Sequence, residues 1–273
     1  MTSDIHEYSN SDLKTNMKAM LNDLCEATVK GHRRIKLYSI LNKLFPNRLK
    51  IEGRQWKDEV VDVTINFVLP FGNSLDPNTD YLVIGAHYDA VPGVPGANDN
   101  GAAVIQLIEA AIQLQDSGKE PDVMFVFFDH EEVFGGKVMG SKVFCEQHEA
   151  NLPIQAVVYD VTGIGDTFFV SGFDYTDILW DYPTRRTPPS DNFNLKKAGV
   201  DTALVCALPE DQFYDRYPTT WEALHTKDDN MDLIDEDTLH AGAELAGLII
   251  DRWLEQQSFD ITSDDETEIT ATN

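Results

Sequence analysis

Seven acidic and histidine residues stand at or beyond the ends of predicted strands, where their groups could hold cations or move protons. His87 and Asp89 come directly after "YLVIGA", and Asp99 lies ten residues beyond Asp89 in "GANDNGAA". Glu131 and Glu132 follow "DVMFVFF", Asp160 ends "IQAVVYD", and His225 stands in "LHTKDDN" beyond "TALVCAL". Imidazole nitrogen and carboxylate oxygen suit a zinc-class ion, and two ions sharing one carboxylate need about five protein ligands while leaving room for water. A ligating histidine also needs its second ring nitrogen held by a carboxylate, and Asp89 is two residues from His87. The adjacent acids Glu131 and Glu132 can divide the work of proton acceptor and ligand.

Each piece alone has a plainer reading. A His-x-Asp at a strand end is often a structural pair. Asp99 ahead of a helix reads as an N-cap. Glu131 and Glu132 read as a solvated turn, Asp160 as a strand-end turn residue, and His225 with Asp228 and Asp229 as a surface loop or Asx turn. The order of the pieces carries more than any one of them, because it repeats the order of the elements that must position them.

Those elements are legible from hydrophobic period. Residues 11–30 and 32–44 form amphipathic helices, the second stopped by Pro46. "EVVDVTINFVLP" alternates Val61, Val63, Ile65 and Phe67 as a strand does. "YLVIGA", "DVMFVFF", "IQAVVYD", "DTFFVSG" and "TALVCAL" are further strands. Residues 100–115, "GSKVFCEQH" and residues 235–257 are helical. Strands alternating with helices predict an α/β fold, a three-layer α/β/α sandwich with a mixed, largely parallel central sheet. In such sheets ligands bind beyond the carboxyl ends of the strands. One catalytic domain is expected over 1–258, and the acidic, polar segment 259–273 reads as a disordered tail.

Composition narrows the partners. The 273 residues, 42% of them hydrophobic, are enough for one sizeable core. A net charge of -26 repels phosphate backbones and anionic lipid, so neither nucleic acid nor membrane is an expected partner. Cys25, Cys145 and Cys206 are few and widely spaced, which excludes a disulfide framework and a thiolate zinc site. With no visible signal peptide and no apolar run of about 20 residues, a cytoplasmic location is expected.

Taken together, "GAHYDAVPGVPGANDNGAAV", "FFDHEEVFGG", "VVYDVTG" and "LHTKDDNMDLID" resemble the di-zinc exopeptidases of the aminopeptidase Y and bacterial leucyl aminopeptidase type, a family that also contains the glutaminyl cyclases. The resemblance covers about residues 81–235 and implies a zinc-exopeptidase-like fold with two Zn2+ per chain. It implies that Asp99 bridges the ions, that His87 and Asp160 complete one site, and that Glu132 and His225 complete the other. Asp89 matches the aspartate behind the histidine ligand. The implied activity is that of a metallo-aminopeptidase. It would hydrolyse the N-terminal residue of a peptide with a free N-terminus, through a metal-bridging water with Glu131 as general base. The same skeleton serves glutaminyl-peptide cyclotransferases, which form N-terminal pyroglutamate, and a non-catalytic metal-holding fold is a third reading. The chain departs from the family pattern in places. Ala102-Ala103 stand where Ser-Gly is frequent, and Asn192 stands where "SDH" would end in histidine, which alters the substrate-side wall. "HTKDDN" is nearer the cyclases, whereas "EEVFGG" runs on to "MGSKVF" without the longer insertion of animal cyclases.

Overall fold

The computed structural model describes residues 13–29, 31–57, 63–133, 138–171 and 177–268. Its centre is strand β3 (Leu82–His87), every residue of which is buried. A run without polar alternation can satisfy only a strand covered on both faces, which is the environment of a central parallel strand. The other strands are β1 (Lys50–Gln55), β2 (Val63–Pro70), β4 (Val123–Phe128), β5 (Gln155–Tyr159), β6 (Thr167–Ser171), β7 (Thr184–Arg185) and β8 (Asp201–Leu208). They form one eight-stranded sheet in the order β1-β2-β4-β3-β5-β8-β6-β7. The inner strands β4, β3, β5 and β8 are mutually parallel. Antiparallel pairings of β2 with β1 and β4, and of β6 with β8, make the sheet mixed.

Helices cover both faces. On one side α1 (Leu13–Cys25), α2 (His32–Leu44), α3 (Ala102–Ser117) and α6 (Glu236–Glu268) pack on Leu82, Ile84, Phe125, Phe127 and Val157. On the other, α4 (Gly140–Gln147) and α5 (Asn192–Lys197) pack on Val83, Met124, Val126, Phe128 and Val158. Alternate residues of each strand therefore serve opposite cores, as the period of two requires. The three-layer α/β/α expectation holds. The crossover from β3 to β4 uses α3 on the first face, and that from β4 to β5 uses α4 on the second. Because β3 lies between β4 and β5, the chain switches direction there, and the loops beyond these strand ends part to leave a crevice.

Three short elements escaped the sequence reading. β1, "KIEGRQ", is a half-exposed edge strand without an apolar face. β7 has two residues and α5 six, too few for either period to register. The last helix also differs from expectation. It is continuous through Glu268, beyond the boundary at 258 and into the segment read as disordered. Extending an existing helix adds one hydrogen bond per residue ordered, so a polar composition does not by itself end it. Val61 and residues 269–273 lie outside the described residues. No described helix is long and apolar enough to cross a membrane.

Candidate metal centre and active site

The four parallel strands end on one edge, and the predicted residues gather there. His87 is the last residue of β3, 1% exposed, in register with Phe128 of β4. Glu131 and Glu132 follow β4, and Asp160 follows β5. His225 returns on the loop after β8. Asp99 lies in the tight turn Ala97–Gly101 that opens α3, where Asp99 (φ -115°, ψ 87°) and Asn100 (φ -132°, ψ 35°) leave helical geometry. No side chain caps α3, so Asp99 is not spent as an N-cap.

The geometry divides around Asp99. Its Oδ1 lies 3.2 Å from Nε2 of His87, which in turn is 3.5 Å from Oδ1 of Asp160. Its Oδ2 lies 3.1 Å from Nε2 of His225, which is 3.3 Å from Oε2 of Glu132. Two groups, His87–Asp99–Asp160 and Asp99–Glu132–His225, each converge closely enough to hold one metal ion, and Asp99 belongs to both. Nδ1 of His87 faces Oδ1 of Asp89 at 3.4 Å. The Asp89 carboxylate also accepts the backbone N–H of Glu131 on Oδ1 and of Glu132 on Oδ2, each at 3.1 Å. That contact turns the acid pair away from a free, solvated turn.

The donor set fits a cation. Neither ring nitrogen of buried His87, nor Oδ1 of Asp160, has a hydrogen-bond partner although carboxylates surround the ring. Buried polar atoms left unpaired are costly, and a metal ion between Nε2 of His87 and the Asp160 carboxylate would satisfy both at once. The proton affinities tell the same story. Burial pushes the Glu131 carboxyl up to about 9, with Asp160, Asp191 and Asp89 adding to it. Burial and then the Asp99 charge push Glu132 up to about 8. Contact with Asp99 raises His225 to about 9. Burial would lower His87, but nearby Asp160, Asp89 and Asp99 outweigh it and raise it well above the usual imidazole range. Burial would likewise raise Asp99, yet His225 and His87 hold it below the usual carboxylate range. Without cations, protons crowd onto groups that elsewhere are ionised or neutral.

The backbone is strained at the same places. Among the described residues, the non-glycine positions with positive φ are His130 (59°), Val161 (55°) and His225 (61°). They precede Glu131, follow Asp160, and include one of the two histidines of the centre. Such conformations cost of order 1–3 kcal/mol each and gather at functional sites. A cavity of about 330 Å³ adjoins the cluster, with Asp89 and Glu132 in its wall beside Tyr88, Val91, Val94 and His130.

Two acids near the cluster were not among the predicted site residues. Asp229, read as part of a surface loop, is fully buried, and its two oxygens accept the backbone N–H groups of Asn98 (2.7 Å) and Asp99 (3.1 Å). Asp191 is also fully buried, with neither oxygen in hydrogen-bond geometry, and burial raises its carboxyl to about 7. The signal for Asp229 was its place beside His225 in "HTKDDN", and that for Asp191 was the "SDN" triplet.

Comparison with known proteins now decides the family. The profile of peptidase family M28 matches residues 68–250, which holds all seven predicted residues. The chain belongs to peptidase family M28. Aminopeptidase YwaD of Bacillus subtilis (strain 168) is 24% identical over 190 residues, 61% of this chain and 39% of that protein. The probable lipoprotein aminopeptidase LpqL of Mycobacterium tuberculosis is 40% identical over 70 residues, 25% of this chain and 13% of that protein. This M28 chain thus matches less than half the length of either relative. Among solved M28-like folds, the LapA aminopeptidase of Legionella pneumophila superposes with TM-score 0.68 at 18% identity, covering 92% of this chain and 78% of that one. The glutaminyl cyclase of Porphyromonas gingivalis superposes with TM-score 0.69 at 19% identity, covering 91% of this chain and 99% of that one. At these identities the likeness is one of fold.

Proposed function

We propose that this M28 chain is a zinc-dependent aminopeptidase that removes the N-terminal residue from peptides. The observation that carries the reading is the division of the Asp99 carboxylate, one oxygen toward His87 and Asp160 and the other toward His225 and Glu132. His87, Asp99 and Asp160 would hold one Zn2+, and Asp99, Glu132 and His225 a second. Bound zinc supplies a Lewis acid for the scissile carbonyl and a water of lowered pKa, and its charge lowers the proton affinity of nearby carboxylates. Glu131 is then ionised and accepts the proton of the attacking water, and it returns that proton to the leaving amine. Asp89 faces Nδ1 of the His87 ring at 3.4 Å and accepts the backbone N–H of Glu131, so it would keep ligand and base in one relative placement. The acidic surroundings favour a substrate with a cationic N-terminus, and the net charge of -26 disfavours nucleic acid and anionic membrane. The three free, buried cysteines agree with the cytoplasmic location proposed.

A glutaminyl-peptide cyclotransferase is the second reading, favoured by the cyclase-like "HTKDDN" around His225. In that reaction Glu131 would carry a proton from the substrate's α-amine to the departing ammonia. One experiment separates the two. The zinc-loaded protein is incubated with a panel of X-Ala-Ala peptides, glutamine included at X, and product masses are read. Release of the first residue supports the aminopeptidase. Loss of ammonia from the glutamine peptide alone supports the cyclase and overturns the first reading.

A further inference from the structure

The turn that carries Asp99 is held by a residue outside the family-matched region. Arg33 is the second residue of α2, in the N-terminal helix pair, and is 6% exposed. Its Nη1 donates to the carbonyl of Pro95 at 2.6 Å and its Nη2 to that of Gly96 at 2.9 Å. The same Gly96 carbonyl accepts the N–H of Gly101 at 3.0 Å, which closes the turn around Asp99.

Glycines make room for this guanidinium. A Cβ on Gly96 would lie 3.1 Å from Nη1 of Arg33 and 2.5 Å from the Asp99 carbonyl. A Cβ on Gly101 would lie 2.9 Å from Nη2 of Arg33 and 2.7 Å from Leu21 of α1. Both ends of the turn are therefore shaped to admit an arginine from the helix pair. The hold on the turn has two signs. Arg33 takes its carbonyls, while Asp229, on the loop that brings His225, takes the N–H groups of Asn98 and Asp99. Burial disfavours the Arg33 charge and lowers its pKa, and the carboxylates of Asp89, Asp229 and Asp99 oppose that. A buried cation is retained only where such partners compensate it.

We infer that Arg33 is a positioning residue for the metal centre, and that the N-terminal helix pair is through it a working part of the active site. The inference rests on the proposed two-metal reading. The hydrogen bonds of Arg33 go to backbone carbonyls and not to a ligand side chain. It acts on the backbone that aims both oxygens of Asp99, so its loss should affect both ions together. Outer groups that orient a ligand typically contribute 10–100-fold in metal affinity.

The test is zinc affinity and stoichiometry of the full chain, measured by competition with a chromogenic chelator. Arg33→Met removes the bidentate donor, Arg33→Lys keeps the charge with a single-point donor, and Leu41→Ala weakens the same helix about two turns away. Arg33→Met should weaken binding of both ions about 10–100-fold, with Arg33→Lys between it and the unaltered chain. Leu41→Ala should lower the melting temperature and leave zinc affinity unchanged. If Arg33→Met does not fold, Arg33→Lys decides: it must lose affinity where Leu41→Ala does not. Unaltered affinity in Arg33→Lys together with Arg33→Met, or in Arg33→Lys alone if Arg33→Met does not fold, overturns the inference. So does an equal loss in Leu41→Ala, because that would mark a general effect of stability. An unaltered chain that binds no zinc would instead overturn the two-metal reading itself.

Discussion

Asp89 accepts the backbone N–H of Glu131 at 3.1 Å, and so ties the loop after β4 to the loop after β3. Its other contacts make it a hinge point of the centre, since it faces the His87 ring at 3.4 Å and also accepts from Glu132. Asp89→Asn keeps the shape but loses the charge that fixes the imidazole tautomer. The expected result is a 10–100-fold loss in zinc affinity or in turnover at saturating zinc. Wild-type values for both would reduce Asp89 to a structural turn residue.

The neighbours Glu131 and Glu132 should fail in different ways. Glu131→Gln leaves every predicted ligand in place, so bound zinc should be unchanged while turnover falls by about 10²–10⁴, the usual share of a general base. KM should change little, because binding does not use that proton transfer. Glu132→Gln should lose zinc first and activity in consequence, with partial recovery in excess zinc. Measuring bound metal and turnover for both variants decides the roles, and the opposite pattern would exchange them.

Asp99→Asn separates the site from the fold. No side chain caps α3, so the helix loses no N-cap hydrogen bond. Far-ultraviolet circular dichroism should stay close to that of the unaltered chain. Zinc binding at both sites should collapse, because an amide cannot supply charge to two cations. Two ions bound with ordinary affinity would show that Asp99 does not bridge them.

Acid and base should act on the metal-free protein in a definite direction. Glu131, Glu132 and His225 have folded values of about 9, 8 and 9 against ordinary values of 4.5, 4.5 and 6.5. Folded values above unfolded ones mean stability that is full below the unfolded values and lost as pH rises through the folded ones. Asp99 is shifted the other way, so its contribution is lost toward acid. Chelator-treated protein should therefore melt highest in mildly acidic buffer and progressively lower as pH approaches about 9. Zinc takes the place of these protons, so the melting shift it produces should be larger at about pH 8.5 than at about pH 5.5. A shift that does not grow with pH would contradict this electrostatic account.

The parts of the fold that were readable from sequence share one property. β3, β4 and β5 are continuous apolar runs, and their ends deliver His87, Glu131, Glu132 and Asp160 by local connection alone. What was not readable acts across long sequence distances. Asp229 holds Asn98 and Asp99 from about 130 positions away, and Arg33 reaches Pro95 and Gly96 from another helix layer. Neither contact is written in a local period, so the buried carboxylate of Asp229 read as part of a surface loop or Asx turn, and Arg33 drew no reading at all. β1 was missed for the reverse reason, since an edge strand with a solvated face has no apolar alternation to read.

The central claim is that Asp99 is shared between two ions that together support peptide hydrolysis. Its most direct test is a zinc titration of chelator-stripped protein, following release of the first residue from an X-Ala-Ala peptide. The account predicts no activity in the stripped protein and full activity at two zinc ions per chain. Full activity without metal, or saturation of binding and activity at a single ion, would contradict it.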